Sequence, residues 1–223
     1  MVTLITQEQG KITGLAKNSR KLTNRLCGKL EPFYQVQLEA FARQTFSHIK
    51  EADVLSHCPI YKMNLNAQSA LHFLAELTHR LTVEGQETEK VFELWQQLMI
   101  QWPNHELKSD VLLHAGVIKL LTELGFMASW QHCGDSHKKL DLTQRIYLNP
   151  EQVSLTHLTS PHHISLSPTL VKWINFMQSY PLADVVQVNP SQQEKQQVWQ
   201  LLQNLIYPLL NQPMKTEKFL VMN

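Results

Sequence analysis

The densest run of one chemistry lies near the amino end. GLAKNSRKLTNRLCGK (14–29) sets Lys17, Arg20, Lys21, Arg25 and Lys29 among amide and hydroxyl donors, and Lys11 stands just ahead of it. Cations at this density suit phosphates. Neutralising several phosphates releases condensed counterions, which gives an affinity that is salt-sensitive and largely blind to sequence. A connection between strands also carries charge simply to stay solvated, so the imbalance decides. Residues 1–30 hold six basic groups against Glu8 alone, a local charge of +5. The remainder holds 14 basic and 18 acidic groups, a charge of −4, and the chain as a whole returns only +1. A basic stretch on a mildly acidic body suggests an anionic partner for one end. Phe33, Tyr34, Phe41 and Phe46 are the nearby aromatic groups that could stack on bases, although some of them must serve the core.

Other chemistries are weaker. His132, Cys133 and His137, followed by His157, His162 and His163, are zinc-compatible types without a CxxC, HxxxH or HExxH spacing. No metal and no cofactor is expected. GxSxG, P-loop and GxGxxG motifs are absent, and the carboxylates form no acid–base pair, so no enzyme is expected. Cys27, in the basic run, and Cys58, before Pro59, could be reactive thiols only if cations lowered their pKa values; small apolar packing is the plainer role. Three cysteines without paired spacing fit a reducing compartment, with the cytoplasm as the default. The start, MVTLITQEQGK, has no basic segment before its few apolar residues, and Lys119 interrupts the best apolar run, VLLHAGVIKLL. Neither a signal segment nor a membrane span is expected.

These residues must be positioned by two kinds of element. Up to about residue 60 the hydrophobic period is two. VTLIT (2–6) and KITGLAK (11–17) read as a hairpin turning at Gly10. FYQVQLEAF (33–41) puts Tyr34, Val36, Leu38 and Ala40 on one face, as a half-buried strand. TFSHIKEADVL (45–55) is a weaker strand, because Lys50-Glu51-Ala52 could open a helical turn. The basic run then falls in a flexible loop between the second and third strands.

After Pro59 the period becomes helical. Segments 66–83 and 87–102 carry apolar stripes, and 106–125 is apolar on more than one face, as in a helix enclosed by several neighbours. Gly125 marks its stop. Residues 126–166 read as irregular. Ser167-Pro168 and Asn189-Pro190 each look like a cap followed by proline at the first helical position, and Pro208 ends or kinks the last helix. The predicted fold is α+β: an N-terminal β-barrel module over 1–60, then an all-α helical domain over 61–223 with the irregular insert at 126–166.

The order of features resembles a known family. VTLITQEQGKITGLAKNSRK, LEPF (30–33) and HIKEADVL (48–55) resemble the N-terminal oligonucleotide-binding (OB) fold of the RecO family, bacterial mediators of recombination in DNA repair. The resemblance continues through LLTELGF (120–126), Cys133-Gly134, LSPTLVKWI (166–174) and NQPMKTEKFL (211–220). It implies a protein that binds single- and double-stranded DNA, anneals strands, works with RecR and helps load RecA. It also implies contact between the helical domain and the C-terminal tail of the single-strand binding protein (SSB), and no nucleotide hydrolysis. The DNA-facing groups carried over by position are Lys11, Lys17, Arg20, Lys21, Arg25 and Lys29.

Two departures stand out. Many members hold a structural zinc with two CxxC pairs; here Trp130 and Cys133 occupy the first pair and the second is absent, so apolar packing by Trp130 is expected to replace the metal. Members also begin with a strand preceding the segment matched by VTLIT, and a barrel without it keeps an unpaired edge. An RNA- or protein-binding adaptor is the alternative from another class, and a metal-dependent enzyme on the His-rich segment is a third.

Overall fold

The computed structural model describes residues 1–41 and 47–220. Phe46 and the first two residues of the strand expected from position 45 lie outside the described residues. Strands β1 (Val2–Thr6) and β2 (Gly10–Leu15) form an antiparallel hairpin in register from Val2↔Gly14 to Thr6↔Gly10. Its turn closes on Gly10, whose φ of +65° is the left-handed conformation that glycine adopts at no steric cost. Strands β3 (Tyr34–Phe41) and β4 (Ser47–His57) are also antiparallel, and β4 joins β2 in parallel through Gly14↔Ser47 and Leu15↔His48. The order is β1-β2-β4-β3.

This is an OB-like arrangement that stays open. Among the described strands β1 pairs with β2 alone and β3 with β4 alone, so the sheet has two outer edges. A cleft of about 1000 Å³ lies against both edges, lined by Val2, Leu4, Val36 and Leu38 and by Trp95 and Met99 from the helices, without a Lys or Arg. The strand that read as weak is the longest, at 11 residues. Lys50-Glu51-Ala52 stays extended because β3 pairs across it at Leu38↔Ala52 and Glu39↔Glu51, and Ala52 is buried with Leu26 and Ile49 in a small core. Tertiary pairing outweighs the local helical preference.

The helical body follows a 3-10 turn at Ile60–Lys62. Helices α1 (Leu65–Leu81), α2 (Glu89–Asn104) and α3 (Ser109–Glu123) come first, then α4 (Pro168–Ser179), the single turn α5 (Leu182–Val185) and α6 (Gln192–Ile206). Every residue of α3 from Val111 to Ile118 is buried, and the helix packs against all five others. Gly125 follows α3 at φ +77°, in the left-handed stop conformation. Ser167 caps α4, its hydroxyl accepting from the Leu170 N–H at 3.1 Å. The start of α6 differs from expectation. Ser191, two residues after Asn189, is the cap: its hydroxyl accepts from the Glu194 N–H while the Glu194 carboxylate accepts from the Ser191 N–H. That reciprocal box satisfies two helix-end donors at once, which Asn189 could not do.

The segment 126–166 also differs. It carries a three-stranded antiparallel sheet, β5 (Ile146–Asn149), β6 (Ser154–Thr156) and β7 (Ile164–Leu166), in the order β6-β5-β7. Strands of three or four residues are too short to show an alternation. Their buried Ile146, Leu148, Leu155 and Leu166 join the helical core, so the second domain is helical with a small sheet on it. Among the described residues no helix is long and apolar enough to cross a membrane.

Candidate nucleic-acid interface

The connection from β2 to β3, expected to be flexible, is a chain of turns. Backbone bonds run from Ser19 N to Ala16 O, Lys21 N to Asn18 O, Asn24 N to Lys21 O, Cys27 N to Asn24 O and Lys29 N to Leu26 O, at 2.9–3.3 Å. Each closes the four residues of a β-turn. Asn18 takes the left-handed conformation at φ 59°, which Asn tolerates better than most residues. Asn24 ties the chain together: its side-chain amide donates to Lys17 O at 3.1 Å and its oxygen accepts from Leu26 N–H at 2.9 Å. Leu26, 4% exposed, anchors these turns in the small core. The cations therefore stand on an ordered scaffold.

The six basic residues divide into three groups. Lys17, Arg20 and Lys21 are exposed, and no carboxylate among the described residues pairs with them. Arg25 pairs with Glu51 at 2.5 Å and Lys29 with Asp53 at 2.8 Å. Glu51 and Asp53 alternate with buried Ala52 on β4, so the strand period brings both carboxylates to the basic turns. These partners were missed in the sequence, where only the basic run was weighed; the Glu51-x-Asp53 spacing was the available signal. Lys11 is elsewhere: its ammonium donates to the carbonyls of His79 and Thr82 at the end of α1.

The aromatic candidates divide as well. Phe33 packs edge-on to His72 and beside Trp95, against the helical core. Tyr34 lies against His57 at 5.3 Å. Phe41 is 53% exposed, with the Lys50 ammonium 5.6 Å from its ring centre. Phe41 is thus the most exposed of the described aromatic candidates, and the Lys50 ammonium over its ring is paired with Glu39 at 3.2 Å.

The zinc-compatible residues do not fit a metal. Among the described residues no group of three His, Cys, Asp or Glu side chains converges on one point. His157 and His163 bring their Nδ1 atoms against the carbonyls of Arg145 and Leu158. Burial works against a Cys133 thiolate, but hydrogen bonds from Ser136, Asp135 and His157 outweigh it and lower the thiol pKa. The Trp130 indole fills the neighbouring position, 1% exposed, its N–H buried without a partner. Burial pushes the Cys58 thiol up to about 11, the reverse of an activated nucleophile.

An open OB-like sheet carrying a cationic turn scaffold, followed by a helical body, defines an α+β chain. The family model for the recombination protein O N terminal matches residues 1–57, and that for the C terminal matches residues 63–218. The chain belongs to the RecO family. It is 28% identical over 144 residues to the DNA repair protein RecO of Geobacter metallireducens, covering 64% of this chain and 58% of that protein. It is 33% identical over 94 residues to that of Geobacter sulfurreducens, covering 42% and 39%. Against that of Bacillus pumilus it is 22% identical over 223 residues, covering 99% and 86%. The matches thus span well under two thirds of the two Geobacter proteins.

Proposed function

We propose that this chain is a recombination mediator in DNA repair that holds DNA by its phosphates and performs no catalysis of its own. Lys17, Arg20 and Lys21 make the first contacts, from turns rigid enough to hold a fixed geometry. Arg25 and Lys29 join when phosphate oxygens replace Glu51 and Asp53. Phe41 offers a stacking face for an unpaired base. Contacts with RecR and with the SSB tail, and help in loading RecA in the cytoplasm, follow from family membership and belong to the same proposal. The observation that carries the reading is the set of three unpaired cations on an ordered scaffold in a chain matched by both RecO domains.

Strand annealing tests it. Lys17→Glu with Arg20→Glu and Arg25→Glu is expected to slow annealing of complementary oligonucleotides at least tenfold, with the helical signal in circular dichroism unchanged. Undiminished annealing would refute the site. Strong preference for a ribo-oligomer over its deoxy counterpart would favour the RNA-binding adaptor instead.

A further inference from the structure

The joint between the sheet and the helices assigns Lys11 a different task from the other five cations. We infer that Lys11 is a positioning residue: it clasps the β1–β2 hairpin to the end of α1, so that the basic turns and the helical body meet a ligand as one unit. This rests on the proposed DNA-binding role for its consequence, though the clasp itself does not.

The geometry is specific. The last carbonyls of a helix have no partner within it, and they carry the negative end of its dipole. The Lys11 ammonium donates to two of them, His79 O at 2.8 Å and Thr82 O at 2.5 Å. Around it the hairpin and the α1–α2 connection are joined at several points. The Gly85 N–H donates to Lys11 O at 3.2 Å, the Thr13 hydroxyl donates to Glu84, and the Gln7 amide donates to Glu89 at 3.3 Å. Gly10 comes so near that a Cβ there would stand 1.8 Å from Gln86 O. The hairpin turn is therefore seated in the connection, with no space for a side chain between them.

Charge separates Lys11 from the phosphate-binding groups. Glu8 in the hairpin, Glu84 and Glu87 in the facing connection and Glu89 at the start of α2 make this joint acidic, a poor place for a polyanion. Moving the ammonium to a phosphate would also take the lysine donor away from two helix-end carbonyls.

Lys11→Gln and Lys11→Arg test the inference through two readouts on the intact chain: amide hydrogen exchange, and the salt dependence of binding to fluorescent oligo-dT. Lys11→Gln is expected to speed exchange at 10–14 and 82–88 at least tenfold and to leave the slope of log affinity against log salt unchanged. Lys11→Arg, whose guanidinium also reaches two acceptors, is expected to restore protection. A slope shallower by roughly 0.7 in Lys11→Gln would make Lys11 a phosphate contact and overturn the inference. Unaltered exchange would overturn it too. If the unmodified chain fails to bind the oligonucleotide, the DNA-binding role fails while the exchange result still decides the clasp.

Discussion

The Arg25 guanidinium lies 2.5 Å from the Glu51 carboxylate, so a cation counted from the sequence as available to phosphate is already matched by the chain itself. Lys29 stands in the same relation to Asp53. Arg25 and Glu51 are 72% and 45% exposed, and pairs of this kind contribute at most about 1 kcal/mol to stability. They are easily exchanged for a better anion.

Glu51→Gln combined with Asp53→Asn should therefore strengthen oligo-dT binding severalfold and steepen its salt dependence, while the melting temperature barely moves. Fluorescence anisotropy across a salt series measures both. A double variant that binds as weakly as the parent would show that Arg25 and Lys29 stay outside the interface.

The C-terminal segment is held by the Glu76 carboxylate together with the Arg80 guanidinium, which donates to Gln212 O at 2.7 Å and Pro213 O at 3.0 Å. Glu76 accepts from the Lys215 N–H at 3.0 Å, the Thr216 N–H at 2.8 Å and the Thr216 hydroxyl at 2.7 Å, and it pairs with Arg80 at 2.6 Å. Burial opposes its ionisation, but the hydrogen bonds from Lys215, Thr216 and Arg80 prevail and bring its pKa down to about 2. A carboxylate with a depressed folded pKa adds stability that is present above its ordinary value of 4.5 and lost as pH falls towards 2. Glu76→Gln should free 212–219 to exchange amide hydrogens faster at pH 7 and remove that part of the acid sensitivity. Retained protection of Lys215 and Thr216 would count against the Glu76 latch.

His114 sets a second acid limit at higher pH. It is fully buried between α3 and α6, stacked on Trp199 at 5.9 Å, and neither ring nitrogen has a hydrogen-bond partner. Burial lowers its pKa to about 4, with Asp110 opposing and Lys195 reinforcing the shift. The unfolded chain takes up this proton near pH 6.5, whereas the folded chain resists it until about 4. Stability is thus full above 6.5 and declines below it, by roughly 2 kcal/mol at pH 5. His114→Phe should flatten the melting temperature between pH 7 and 5. An equally steep decline in that variant would place the sensitivity in another group.

Trp130 is 1% exposed in the core of the helical domain, where it works by packing. Trp130→Ala should destabilise the chain by about 3–5 kcal/mol, as expected for a large buried aromatic truncated to a methyl. Urea denaturation measures the loss; a cost below about 1 kcal/mol would mean that the insert is held by other contacts.

Much of this was legible in the sequence where a pattern repeats. The apolar stripes placed α1, α2 and α3 within a few residues, and Ser167-Pro168 marked the start of α4. Short-range cues failed where tertiary contacts decide. Lys50-Glu51-Ala52 is extended because β3 pairs across it. The three strands within 146–166 are too brief to alternate visibly, and the cap of α6 is Ser191 because Glu194 completes its box. At the site, the basic run was plain, but its division was not. Whether a cation is free depends on what lies across the sheet: Glu51 and Asp53 are more than twenty residues from Arg25 and Lys29, and His79 is 68 residues from Lys11.

The salt dependence of oligo-dT binding tests the central claim most directly, with the unmodified chain compared with Lys17→Gln/Arg20→Gln/Lys21→Gln. Each phosphate contacted on a single strand contributes roughly −0.7 to the slope of log affinity against log salt. The unmodified chain should give roughly −2 from the three unpaired cations, steepening towards about −3.5 if Arg25 and Lys29 engage. The triple variant should be weaker and shallower by about 2 in that slope. A flat dependence in the unmodified chain, or an unchanged slope in the triple variant, would contradict phosphate binding by these turns.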